Sequence, residues 1–297
     1  MFSIRYACLV LATILVALSA AAPAAHLARD VSLQVLQQLN LFAEYSAAAY
    51  CTGNLNSTGT KVTCPAGNCP QVQAANTTTL TEFLADGQYG ELAGFLAADS
   101  THKLIVLSFR GSRSPANWIA NLDFAFDDAK DLCADCKVHG GFWKAWNTVA
   151  DTLRTQIQKA RAAYPDYKLV FTGHSLGAAI ATVGTTDLRT REKYSIDMYS
   201  YGSPRVGNAE LAEYITSLGS NYRVTHTDDI VPRLPPRAVG YRHPSPEYWI
   251  TSGNDVAVTA SDITVVEGVA SSEGNAGEAT PSTSAHGWYF GDIGKCQ

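Results

Sequence analysis

The sequence predicts an α/β domain in which a mostly parallel sheet carries helices on both faces. Two observations lead there. Apolar runs of strand length alternate along the chain with longer stretches of helical periodicity. One such run, Lys168-Leu169-Val170-Phe171-Thr172-Gly173, passes through His174-Ser175 directly into Leu176-Gly177-Ala178-Ala179-Ile180-Ala181, which reads as a helix. Parallel strands need crossovers of this kind, because a tight turn can only return the chain antiparallel.

The elements follow in order. Leu33, Leu36, Leu39, Phe42 and Tyr45 recur at helical spacing and predict a helix within residues 31–50. Residues 51–79, rich in Thr, Asn, Gly and Cys, read as pinned loops. Lys103-Leu104-Ile105-Val106-Leu107-Ser108-Phe109 is a buried strand that stops at Arg110-Gly111-Ser112. Residues 143–163 form a helix ending before Tyr164-Pro165. Residues 198–202 and 221–226 are further strands, with a helix over 208–218 between them. The first and last strands are candidates for antiparallel edges. No linker divides residues 30–297, so they are expected to form a single domain.

The chain has 297 residues, 46% hydrophobic and 16% charged, a globular composition able to bury a large core. Arg5 and a short apolar run over 8–18, followed by Ser19-Ala20-Ala21-Ala22, predict a secretory signal over residues 1–22. Residues 23–29, ending at Arg29, read as a brief pro-segment. The apolar run is short for a membrane span, so the mature protein is expected to be extracellular without a transmembrane anchor. A chain beginning at Asp30 carries 20 basic against 27 acidic residues, a net charge of -7. No basic stripe supports a nucleic-acid partner.

Cys8 leaves with the signal. The six remaining cysteines, an even number in an exported chain, predict disulfides without specifying which pairs form. Cys133-Ala134-Asp135-Cys136 lacks a second CxxC or a histidine cluster, so a structural bridge is favoured over a metal site. Asn56-Ser57-Thr58 and Asn76-Thr77-Thr78 are acceptor motifs for N-glycosylation.

Gly173-His174-Ser175-Leu176-Gly177 carries the chemistry. A serine hydroxyl needs an adjacent base, and a sharp strand-to-helix turn exposes it to one. An incidental serine in a glycine-rich turn is the alternative, but the flanking strand and helix supply the context the motif requires. The acid and base should follow Ser175 in that order, near the carboxyl ends of strands. Asp228 and Asp229, just past the 221–226 strand, are both candidates, while Asp197 precedes its strand. His286, ahead of the anchoring Gly287-Trp288-Tyr289-Phe290, is preferred to His243, read as a solvated loop histidine beside Pro244. Neither a metal nor an organic cofactor is needed.

From these residues outward the chain resembles the filamentous-fungal (class 3) triacylglycerol lipases, of the Thermomyces lanuginosus type. The resemblance rests on Asn40 to Cys51, Phe109-Arg110-Gly111-Ser112-Arg113-Ser114, Asn117-Trp118-Ile119 and Phe171 to Gly177. It extends through Ser203-Pro204-Arg205-Val206-Gly207-Asn208, Thr225 to Pro236 and Ser245 to Ile250, and so spans residues 30–297. It implies an α/β-hydrolase-like fold with a short helical lid. It also implies Ser175 as nucleophile, Asp229 rather than Asp228 as the acid, and His286 as the base. An oxyanion hole from the backbone N–H groups of Ser112 and Leu176 is implied as well, with pairs Cys51–Cys296, Cys64–Cys69 and Cys133–Cys136.

The segment 114–122 places Trp118, Ile119 and Leu122 near one helical side. By pattern alone it is either a surface helix on the core or a cover for the site; the resemblance implies a lid opening at a lipid–water interface. Triacylglycerol is the implied substrate, the lipid surface the implied partner, and no obligate protein partner is implied. Ile230, Val231, Leu234, Phe124 and Phe142 are candidates for an acyl groove. The chain departs from the family pattern at Pro115-Ala116, at Ala178 after Gly177, and at Asp228, where an Asn is usual. Two other readings compete: a feruloyl esterase on the same fold, and an inactive lipid-binding protein.

Overall fold

The computed structural model describes residues 31–87 and 90–296, so the expected signal and pro-segment lie outside it. The first helix is α1 (Leu33–Ala48), and a short α2 (Pro70–Ala74) follows. A hairpin of β1 (Thr77–Gly87) and β2 (Gly90–Asp99) leads to β3 (Leu104–Phe109). Next come α3 (Pro115–Asn121), β4 (Phe126–Asp128), β5 (Lys137–His139) and α4 (Gly140–Ala163). The centre of the fold is β6 (Lys168–His174), α5 (Leu176–Arg191) and β7 (Ile196–Tyr201). It continues through α6 (Ala209–Ser217), β8 (Asn221–His226), β9 (Glu247–Ile250) and β10 (Ile263–Val266).

Eight strands form one sheet in the order β1-β2-β3-β6-β7-β8-β9-β10. The run from β3 to β9 is parallel, and both edges are antiparallel. Alternate residues of its central strands enter different cores, which is why these strands read as unbroken apolar runs. Ile105, Leu107, Leu169 and Phe171 pack with α4 and α5, whereas Leu104, Val106 and Val170 pack with α1. Helix α4 lays Phe142, Trp146, Val149, Leu153 and Ile157 on the first core. Trp146 lies so close over α5 that a Cβ at Gly184 would sit 2.6 Å from its ring.

Three regions differ from the expectations. The stretch read as loops contains α2 and, from Thr77, the start of the β1–β2 hairpin. Threonine suits strands, but its polarity hid the apolar alternation. Asp197 lies inside β7 rather than before it. His243 is not a solvated loop histidine: it is half-buried, and its Nε2 donates to the Pro232 carbonyl at 2.7 Å.

Disulfides join Cys51 to Cys296, Cys64 to Cys69 and Cys133 to Cys136. The first ties the chain just after α1 to its C-terminal end, across 245 positions of sequence. No helix among the described residues is long and apolar enough to cross a membrane.

Candidate active site

Strand β6 ends and α5 begins with one residue between them, Ser175, held at φ 58° and ψ -129°. Positive φ is costly for a residue with a side chain and persists only where the surroundings impose it. Here the neighbours leave no slack. A Cβ at Gly173 would lie 2.6 Å from the Gly177 backbone, and one at Gly177 would lie 2.4 Å from the Phe109 carbonyl. The Ser175 N–H donates to the Tyr201 carbonyl at 2.9 Å, fastening the turn to β7.

His286 lies in a short 3-10 turn over Ala285–Gly287, far from Ser175 in sequence. Its Nε2 is 2.8 Å from Ser175 Oγ and its Nδ1 is 2.9 Å from Asp229 Oδ2. Asp229 follows β8, and its other oxygen accepts from the Val231 N–H at 2.9 Å. Ser175 and Asp229 have no exposed surface and His286 is 3% exposed, so the three meet under cover. Asp228 is half-buried and accepts from the Thr227 hydroxyl instead.

Several buried groups that pattern reading overlooked hold this chain of contacts. The Tyr289 hydroxyl donates to Asp229 Oδ2 at 2.6 Å. Burial and the Asp229 carboxylate push its pKa well above the usual phenol value, so it stays a donor. His174 donates through Nε2 to the His286 carbonyl at 2.9 Å and accepts at Nδ1 from the Tyr50 hydroxyl at 2.7 Å. Burial and then the neighbouring His286 lower the His174 pKa well below the ordinary value, which keeps its ring neutral, and its two hydrogen bonds fix the tautomer. The ring of His226 bridges the carbonyls of Ala285 and Ser252 at 2.9 and 2.8 Å. Asn275 donates to the carbonyls of Thr227 and Asp229 at 3.1 and 2.8 Å, clasping the turn that presents the acid. Tyr289 had a signal, lying in the apolar run after His286; Asn275 had none, since its neighbours 270–280 show no periodicity.

Gly111 lies against the elbow, where a Cβ would come within 3.0 Å of Ser175 Cβ. This brings Arg110-Gly111-Ser112 to Ser175, with Ser112 Oγ accepting from the Ser114 N–H at 3.1 Å. Leu176 opens α5, so its N–H has no acceptor within the helix and lies in the positive field of that terminus. Helix α3 follows Ser112. Trp118 and Leu122 are buried in the core against α4 and Ile119 is half-buried, with Trp118 stacked on Phe142 at 6.4 Å between centroids. Of the groove candidates, Phe142 and Val231 are buried, Ile230 and Leu234 pack on the same core, and Phe124 is 40% exposed. Asn56 and Asn76 are both exposed. Among the described residues, the cluster of metal-binding type is Cys51, Cys64 and Cys296, whose sulfurs are all in disulfides.

Comparison with known proteins matches residues 106–239 to the class 3 lipase family and residues 11–81 to the lipase 3 N-terminal region. The secreted mono- and diacylglycerol lipase A of Penicillium cyclopium is 45% identical over 266 residues, covering 88% of this chain and 87% of that one. The secreted mono- and diacylglycerol lipase 1 of Fusarium solani is 41% identical, covering 91% of this chain and 80% of its own. Among solved structures, the mono- and diacylglycerol lipase of Aspergillus oryzae superposes with a TM-score of 0.84 at 42% identity, covering 88% of this chain and 98% of that one. At these identities and coverages the chain belongs to the class 3 lipases of filamentous fungi, as a secreted carboxylic ester hydrolase with the α/β-hydrolase fold.

Proposed function

We propose that the protein hydrolyses acylglycerol esters through an acyl-enzyme on Ser175. The observation that carries this reading is the continuous contact from Asp229 through His286 to Ser175 Oγ. His286 takes the serine proton as Oγ attacks the ester carbonyl, and Asp229 stabilises the imidazolium that forms. The N–H groups of Ser112 and Leu176 receive the negative charge on the tetrahedral oxygen. His286 then protonates the leaving glycerol oxygen, and water repeats the sequence on the acyl-enzyme.

The substrate surface is a lipid–water interface. Trp118, Ile119 and Leu122 give α3 an apolar side that packs on the body beside the buried serine. As a lid, α3 would exchange that packing for contact with lipid, which costs little where oil replaces protein. Mono- and diacylglycerols come first, because the 41–45% identical relatives are named for them. Triacylglycerol, implied by the sequence resemblance, comes second.

Initial rates on monoacylglycerol, diacylglycerol and triacylglycerol emulsions and on methyl ferulate separate the readings. Turnover of the acylglycerols with little on ferulate is the expected result. Cleavage of ferulate alone would make the protein a feruloyl esterase. Binding to emulsions with no turnover at all would make it a lipid-binding protein.

A further inference from the structure

Beside the acid turn lies a small cavity, of about 20 Å³, walled by Arg205, Arg223, Arg237, Arg242, His243 and Glu247 among others. Four arginines therefore share its lining with one carboxylate. That carboxylate is already engaged: Glu247 Oε2 accepts from Arg223 at 3.1 Å, and Oε1 accepts from the Thr225 hydroxyl and from the Asn275 N–H at 3.2 Å. Arg205, Arg237 and Arg242 have no carboxylate within salt-bridge distance among the described residues.

The donors are also incompletely used. Arg205 is 5% exposed, and only its Nη1 bonds to protein, to the carbonyls of Arg233 and Pro235. Its Nε and Nη2 have no protein acceptor among the described residues. Arg242 likewise spends only Nη1, on the carbonyls of Arg237 and Tyr241 at 2.8 and 2.7 Å. His243 turns its Nε2 to Pro232, and burial beside Arg223 and Arg205 keeps its ring neutral, so it adds no further positive charge. Buried charges in proteins are paired, because leaving one unpaired forfeits its hydration without return. Arg205 shows that cost: burial, and then the neighbouring Arg223, Arg237 and Arg242, lower its pKa to about 9.

We propose that this cavity binds one small inorganic anion of halide size, chloride in an extracellular medium, held by the unused N–H groups of Arg205 and Arg242. The volume matches a single small occupant. Arg237 and Arg242 are half-buried at its rim, which gives the ion a way in. Asn275 also lines the cavity while clasping Thr227 and Asp229, so the bound ion braces the turn that carries the acid.

The test is the thermal midpoint of the whole protein at constant ionic strength, with sodium gluconate replaced stepwise by sodium chloride or sodium bromide. The expected result is a saturable rise of about 3 °C at tenfold over half-saturation, equal in kind for both halides. Arg242→Gln, at the rim, should retain the gluconate midpoint and lose the halide-dependent rise. A crystal soaked in bromide should show an anomalous peak within hydrogen-bond reach of Arg205 Nη2. Equal midpoints in gluconate and chloride, a halide rise unchanged in Arg242→Gln, or a cavity holding water without a bromide peak would each overturn the proposal.

Discussion

Ser175 and His286 meet at one point but are brought there by different kinds of structure. The serine is held by consecutive chain: β6, one strained residue and α5, packed against Phe109 and Tyr201 so closely that the flanking positions admit no Cβ. The histidine sits in a stretch from 267 to 296 whose helical turns are short 3-10 turns, with isolated bridges at Ser282 and Trp288. Hydrogen bonds from His174 and His226, the Tyr289–Asp229 contact and the Cys51–Cys296 bridge secure that stretch. One half is positioned by steric exclusion in a regular core; the other is tied down at separate points. The first should fail through added volume, the second through lost ties.

The largest expected effect lies in the tied half. Asp229→Asn keeps the shape of the acid but reverses its hydrogen-bonding with His286, and should lower kcat by about 10⁴-fold with little change in thermal midpoint. Steady-state rates on a soluble short-chain ester measure this without interfacial complications. Next, Cys51→Ala with Cys296→Ala releases the C-terminal end and should cost about 2–5 kcal/mol in denaturant unfolding. Gly177→Ala attacks the other half, forcing a Cβ to 2.4 Å from the Phe109 carbonyl, and should cost about 3 kcal/mol with loss of activity.

Acidification acts through buried neutral histidines in the body of the fold. Burial lowers the His139 and His174 pKa values below the ordinary 6.5. Below that pH the unfolded chain takes up protons that the folded chain refuses. Stability is therefore full above about pH 6.5 and falls beneath it. Calorimetry across roughly pH 7.5 to 5 should show a falling midpoint with proton uptake on unfolding. The smallest effect sharpens the contrast: Gly287→Ala, next to His286, meets nothing within 4 Å and should change stability by less than about 0.5 kcal/mol.

The same division governed what could be read from sequence. The strands β3, β6, β7 and β8 and the helices α1, α4, α5 and α6 were legible because burial on both sheet faces makes strands uniformly apolar and helices periodic. The β1–β2 hairpin was not, because Thr77, Thr78, Thr79 and Thr81 fill strand positions with polar side chains. Ser175 was legible because its turn is local. Choosing Asp229 over Asp228 needed the family resemblance, since the two are adjacent and only the fold shows that Asp229 reaches His286. Asn275 and His226 act through main-chain carbonyls distant in sequence, contacts that leave no pattern in residue type.

We propose above all that Ser175 acts as the nucleophile, activated by His286. Titration with a chromogenic alkylphosphonate ester, followed by peptide mapping, tests it most directly. The expected result is one equivalent of leaving group per chain, activity lost in proportion, the adduct on Ser175, and no fast labelling in His286→Ala. Complete inactivation with the adduct on another residue, or equally fast labelling of Ser175 in His286→Ala, would contradict it.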